Sequence, residues 1–244
     1  MEKHLNRIKA AWFFMTFKPQ KAEEPKVTPK QLIEYLPAAG FLTGIASWII
    51  AEASIFFYGG GIKSAFLAAM IITVGYCILT RGRELNSLTW SGDLIEAWQE
   101  EHYEKTPVTR YYGLFLIGII MLCRLAVITL IISKGQHLWV LAAPVVAALS
   151  LSYSLSATGD ISFSSGAPRF KEMWLISGAI LLIPAFGLGL IIPMLLSILI
   201  CYFADQYLRK YLLSKLKQIN KELAYSIAAV VHTLAYITVL FLIK

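Results

Sequence analysis

Residues 81–110 read RGRELNSLTWSGDLIEAWQEEHYEKTPVTR, and residues 111–133 continue YYGLFLIGIIMLCRLAVITLIIS. A polar, charge-dense segment gives way to 23 residues that hold a single charge, Arg124. At ~1.5 Å rise per residue, a helix of that length matches the ~30 Å hydrocarbon core of a bilayer. The same alternation fills the chain. Apolar runs occupy 36–58, 60–80, 111–133, 138–157, 173–206 and 223–243. The run 173–206 is 34 residues, too long for one crossing, and carries Pro184, Gly187, Gly189 and Pro193 near its middle. It reads as two short helices, 173–189 and 190–206, meeting at a break. The expected fold is therefore all-α: a polytopic integral membrane bundle of about seven transmembrane helices. Residues 1–35 form a cytoplasmic or interfacial segment. Residues 36–244 form one transmembrane domain with loops at 81–110, 158–172 and 207–222.

Composition agrees. Hydrophobic residues make up 57% of the chain and charged residues 15%, against about a quarter charged in a soluble domain. Mean hydropathy is +0.64. No polar stretch is long enough to add a soluble catalytic domain. Of 22 Lys and Arg residues, 18 fall in 1–35, 81–110, 158–172 and 207–222. One topology, with the N-terminus in the cytoplasm, puts all four segments on the same side, as the positive-inside rule requires. The net charge of +7 is then a topology signal and a contact with anionic headgroups. No basic–aromatic pattern of a nucleic-acid reader is present. The expected partner is the lipid bilayer, and the chain leaves monomer and homo-oligomer both open.

Near the start, Trp12, Phe13, Phe14, Met15 and Phe17 suit a segment lying on the cytoplasmic leaflet, and they are too short a run for a cleavable signal. Residues 18–30, with Pro19, Pro25 and Pro29, read as a linker. Cys77, Cys123 and Cys201 are isolated and intramembrane, without zinc or disulfide spacing. Glu52 and Lys63 flank the Gly59-Gly60-Gly61 turn and are placed to pair across that hairpin.

Chemistry reached by soluble substrates belongs on the cytoplasmic face. Asp93, Glu96, Glu100 and Glu104 fall three, four and four residues apart, one stripe if the segment is helical, with Leu94, Ile95 and Trp98 on an apolar side. Such hard oxygen ligands suit Mg²⁺ on a diphosphate. The plainer reading is the solvated face of a helix resting on the membrane. Arg124 must face the bundle interior or a polar cavity. His232, midway along the last run, reads as a packing residue. No GxSxG, P-loop or Cys/His nucleophile motif is present.

Several segments, in order, resemble the cobalamin synthase family, the integral membrane adenosylcobinamide-GDP ribazoletransferases. Residues 13–19, FFMTFKP, are similar to that family's opening element, and residues 35–44, YLPAAGFLTG, to the start of its first span. Residues 84–94, ELNSLTWSGDL, occupy the place of its signature, and residues 106–113, TPVTRYYG, that of its second motif. Arg124 stands where relatives carry lysine. Residues 216–242 follow the last segment in outline. The resemblance implies a multi-pass protein of a bacterial or archaeal cytoplasmic (inner) membrane. It implies transfer of α-ribazole, or its 5′-phosphate, to adenosylcobinamide-GDP with release of GMP, using Mg²⁺. Carried over, Glu84, Asn86 and Asp93 take the catalytic positions. Asp93, Glu96 and Glu222 take the metal, and Arg81, Arg83 and Arg110 the phosphates. Arg124 and His232 are the intramembrane polar residues. The chain departs from the family where Asn86 and Trp90 replace two of three signature aspartates, and where KQINKE at 217–222 replaces a glycine-rich turn. An amide lacks a carboxylate's charge, and tryptophan does not ligate Mg²⁺. Three functions follow: an active transferase, a non-catalytic relative serving as membrane scaffold or binding subunit, or a small transporter with its site at the break between Pro184 and Pro193.

Overall fold

Thr28 starts the first long helix with a reciprocal cap. Its hydroxyl accepts from the Gln31 amide, the Gln31 side chain accepts from the Thr28 amide, and Pro29 sits in the first turn. The computed structural model describes residues 2–16, 28–99, 111–156, 191–216 and 219–242. Among these, 93% of residues are helical. The helices are α1 (Glu2–Thr16), α2 (Pro29–Tyr58), α3 (Ile62–Leu79), α4 (Arg83–Gln99), α5 (Tyr111–Ser133), α6 (Ala142–Ser156), α7 (Ile191–Leu216) and α8 (Lys221–Leu242). A 3-10 turn, His137–Leu141, leads into α6. Residues 100–110, 157–190 and 217–218 lie outside the described residues. So do the first half of the expected broken span, with Pro184, and the loop 158–172.

Five of the described helical segments are long and apolar enough to cross a membrane: Gln31–Tyr58, Ile62–Leu79, Gly113–Ser133, His137–Ser156 and Lys221–Leu242. Their outer faces carry large apolar side chains in the open, such as Phe56 at 83% and Leu122 at 67% exposure. A water-soluble surface would not carry such continuous apolar area, whereas hydrocarbon solvates it. The chain is a multi-pass helical membrane protein.

The segment His137–Ser156 is the pillar of the bundle, with 89% of its apolar window buried. Alanines and serines fill much of α6, so α2 and α8 approach it closely. On the α2 side, Gly40 and Gly44 make that approach. A Cβ at Gly40 would lie 2.6 Å from both Ala148 Cβ and the Pro144 carbonyl oxygen. One at Gly44 would collide with the Leu141 carbonyl.

Four boundaries differ from the sequence reading. Helix α2 begins at Pro29, not near residue 36, because the cap rather than hydropathy sets its start. Helix α1 buries Ala10, Ala11 and Met15 against the bundle, so one face packs on protein rather than on a leaflet. Helix α7 runs to Leu216 and α8 starts at Lys221, which leaves only residues 217–220 of the expected 207–222 loop between helices. Most consequentially, 83–99 is not a loop. Helix α4 packs between α5 and α8, with Ser87 and Leu88 almost fully buried. Glu52 also departs from expectation. Its Oε1 accepts from Trp48 Nε1 at 3.0 Å and lies 3.0 Å from His137 Nδ1, while Lys63 is exposed. The i, i+4 spacing keeps that carboxylate on the α2 face that meets the 3-10 turn.

Gly44→Ala is expected to lower stability by about 1–3 kcal/mol, because the new methyl meets a fixed carbonyl. Gly118→Ala, where nothing lies within 4 Å, is expected to be neutral or to gain up to ~1 kcal/mol. Thermal unfolding of both variants in detergent compares them directly.

Candidate functional site in the bundle core

Helix α3 ends in a turn at Thr80, Arg81 and Gly82. Arg81 and Gly82 both have positive φ, 50° and 66°, and the Gly82 amide donates back to the Cys77 carbonyl at 2.8 Å. This closure satisfies the last carbonyls of α3. It starts α4 inside the bundle, so that Glu84 stands opposite the middle of α5.

There Arg124 makes its contacts. Its Nη1 lies 2.8 Å from Glu84 Oε2, with both side chains buried. Its Nε donates to Thr233 Oγ1 at 2.8 Å and its Nη2 to the Ala229 carbonyl at 2.9 Å. The other carboxylate oxygen of Glu84 accepts from the Tyr76 hydroxyl at 2.9 Å. The guanidinium also sits 5.8 Å from the centre of the Tyr76 ring. Removing a charge from water into such a site is costly unless it is paired and hydrogen-bonded. Here α3, α4 and α8 together supply what Arg124 on α5 requires.

His232 completes the cluster. Its ring packs between Tyr76 and Tyr236, with centroids at 4.8 and 5.2 Å. Its Nδ1 is 3.8 Å from Glu84 Oε1, too long for a hydrogen bond. A cavity of about 10 Å³, room for about one water, adjoins the cluster and is lined in part by Tyr76, Thr80, Glu84 and Tyr225.

From the cluster a polar seam runs along the α4–α8 contact. The Ser91 and Ser226 hydroxyls meet at 2.7 Å, and Ser87 Oγ donates to Glu222 Oε2 at 2.7 Å. Glu222 is exposed. Arg83 Nη1 donates to the Phe14 carbonyl at 2.6 Å and to the Tyr225 hydroxyl at 3.3 Å.

The structure thus gathers Glu84, Arg83, Arg124, Glu222 and His232, five of the residues singled out from sequence. It does not gather Asn86, which is exposed on another face of α4. Two residues along a helix rotate by ~200°, so Asn86 cannot join the face of Glu84, Ser87 and Ser91. Arg81 is exposed at the turn. Asp93 and Glu96 lie on α4, but their side chains lie outside the described ones, as does Arg110 altogether. Among the described residues no three His, Cys, Asp or Glu side chains come together in a metal-binding group.

Sequence reading missed Tyr76, which meets Glu84 across the turn at 80–82, and Ser87, Ser91, Ser226 and Thr233, whose partners lie far along the chain. It also missed a second buried ion pair. Arg209 Nη2 lies 2.8 Å from Asp205 Oδ2, Asp205 Oδ1 accepts from Ser150 Oγ at 2.5 Å, and the guanidinium covers the Tyr153 ring at 3.3 Å. The i, i+4 spacing of Asp205 and Arg209 was the available signal. This pair joins α7 to α6.

Glu84→Gln or Arg124→Met alone is expected to cost about 3–5 kcal/mol, since each strands a buried charge. The double variant is expected to recover most of that loss. Chemical unfolding of the three variants in micelles tests the coupling, and additive losses would show the pair to be incidental.

No protein-family model, characterised protein or solved structure matches this chain.

Proposed function

We propose that the chain is a multi-pass membrane protein of the cobalamin synthase type that works as a binding or scaffold subunit, without Mg²⁺-dependent transfer of its own. One observation carries this reading: Arg124 lies 2.8 Å from the Glu84 carboxylate. The carboxylate at the head of the signature window is already neutralised. A divalent cation brought to Glu84 would meet a fixed guanidinium at contact distance, in a site of low dielectric where that repulsion is strong. Mg²⁺ therefore does not fit at Glu84. Glu222 accepts from Ser87, and Arg83 from the expected phosphate set holds a backbone carbonyl. The seam is organised as a hydrogen-bonded polar network. The concentration of Lys and Arg in the four polar segments supports placing the N-terminus and residues 217–220 in the cytoplasm.

A second reading, the active ribazoletransferase, is favoured by a different observation. The windows that carry the resemblance, 84–91, Arg124 and 222–233, fold against one another although they are distant in sequence. In that reading Asp93 and Glu96, further along α4, would join Glu222 at Mg²⁺. Bound there, the metal would supply neutralisation of a diphosphate, with Arg81 and Arg110 holding phosphate oxygens.

The two separate in one assay. Purified protein in nanodiscs is given adenosylcobinamide-GDP, α-ribazole and Mg²⁺, beside Asp93→Ala and Glu222→Gln. The binding-subunit reading expects no adenosylcobalamin, with the corrinoid retained on the discs in the presence of EDTA. Turnover that is lost in Asp93→Ala would overturn it in favour of the transferase.

A further inference from the structure

The last turn of α1 sits where the polar seam begins. Its Ala11, Met15 and Thr16 are almost fully buried, at 0%, 4% and 1% exposure. Met15 helps to line the small cavity beside Glu84. Around Phe14, three groups from two other helices converge. Arg83 of α4 donates to its carbonyl at 2.6 Å and holds its guanidinium 6.0 Å from the ring centre. Lys221 of α8 places its ammonium 5.1 Å from the same ring, and Tyr225 of α8 stacks on it at 6.4 Å.

This is a chemically specific arrangement. The last carbonyls of a helix have no partner within it and together carry about half a negative charge. Two cations and a phenol hydroxyl from α4 and α8 thus gather around the negative end of α1. The same set of donors is what a phosphate group calls for: a guanidinium, an ammonium and a neutral hydroxyl, at the first turn of a helix. The two nearby carboxylates have partners of their own: Glu84, next to Arg83 in sequence, turns to Arg124, and Glu222, next to Lys221, accepts from Ser87.

We propose that Arg83, Lys221 and Tyr225 form a phosphate-binding site, and that the C-terminal turn of α1 occupies it as an internal stand-in. A phosphate that takes over Arg83 releases the turn, and with it Met15 from the cavity beside Glu84. The N-terminal helix is then an autoinhibitory plug, and Arg83 its latch. The inference rests on reading the α4–α8 seam as the working site, but it requires no turnover.

The shared ligand chemistry is a phosphate group, from a soluble phosphoester or from a lipid headgroup. The test uses Thr16→Cys in full-length protein in nanodiscs, labelled with a water-soluble maleimide. The probe is pyrophosphate on phosphatidylcholine discs, and in a second arm phosphatidylglycerol discs without pyrophosphate. Loss of a charged hydrogen bond changes a local opening equilibrium roughly tenfold or more, so the labelling rate is expected to rise by that factor in one arm. A rise with pyrophosphate assigns the site to soluble phosphoesters, and a rise with phosphatidylglycerol to headgroups. Arg83→Ala should label fast without either probe and lose the response, while Arg83→Lys should retain part of it. Size-exclusion profiles and an unchanged labelling rate at Cys77 separate release of α1 from general unfolding. Labelling at position 16 that ignores both probes, or that Arg83→Ala leaves slow, would overturn the proposal. Neither result depends on the transferase assay, so this inference and the binding-subunit reading fail separately.

Discussion

An arginine in the middle of a 23-residue apolar helix has to be satisfied from inside the bundle. Arg124 is that residue, and its needs account for the path of the chain around it. A guanidinium offers five donors in a plane. Glu84 takes the charge, Thr233 and the Ala229 carbonyl take further donors, and Tyr76 lies against its face. To bring Glu84 there, α3 must stop short and α4 must re-enter the bundle. The left-handed turn at Arg81 and Gly82 does that. Once α4 is inside, its next polar residues on the same face, Ser87 and Ser91, have to find partners as well, and α8 supplies Glu222 and Ser226. The polar seam thus follows from the placement of one charge.

The opposite side of α8 is built on another principle. Against α6 the contact depends on small residues. Gly40 and Gly44 let α2 touch α6 at backbone distance, and alanines and serines of α6 keep the layer thin. In hydrocarbon such packing contributes through dispersion and buried hydrogen bonds rather than through exclusion of water. Ser150 and Ser152 then add polar ties, to Asp205 and to the Ile33 carbonyl. Two buried ion pairs therefore brace the bundle in different places: Glu84 with Arg124 across α4 and α5, and Asp205 with Arg209 within α7.

Hydropathy located α3, α5, α6 and α8, because their lipid-facing sides leave long apolar runs. It misplaced 83–91, and the reason is physical. In a soluble protein, polar residues at positions 84, 87 and 91 of a helix mark the solvated face. In a membrane bundle the same period marks the face turned inward, where the only partners for polar groups are other polar groups. The ends of α2 and α7 were misread for a related reason. A capping box at Thr28 and an i, i+4 pair at Asp205 and Arg209 extend these helices through polar sequence. The site itself was half legible. Arg124 stood out as a charge in an apolar run, and Glu84 entered only through the resemblance of 84–94. That they face each other depends on the turn at 80–82, whose left-handed Arg81 has no mark in composition. Ser87 and Glu222 are 135 residues apart, and no local pattern links them.

The order of the segments and the charges at the site point to different consequences. The helices that carry the windows of the resemblance, α4, α5 and α8, meet. Charge decides what they can hold once they meet. A carboxylate beside a guanidinium is a finished ion pair, whereas a carboxylate that keeps its negative charge to itself is a metal ligand in waiting. At the buried end of the seam the first case holds. At its open end Glu222 accepts from a neutral serine, while Lys221 beside it in sequence and Arg83 of α4 both lie against Phe14, so charges of both signs meet there. The buried end is an electrostatic keystone, whose function is to hold the α4–α8 contact in register.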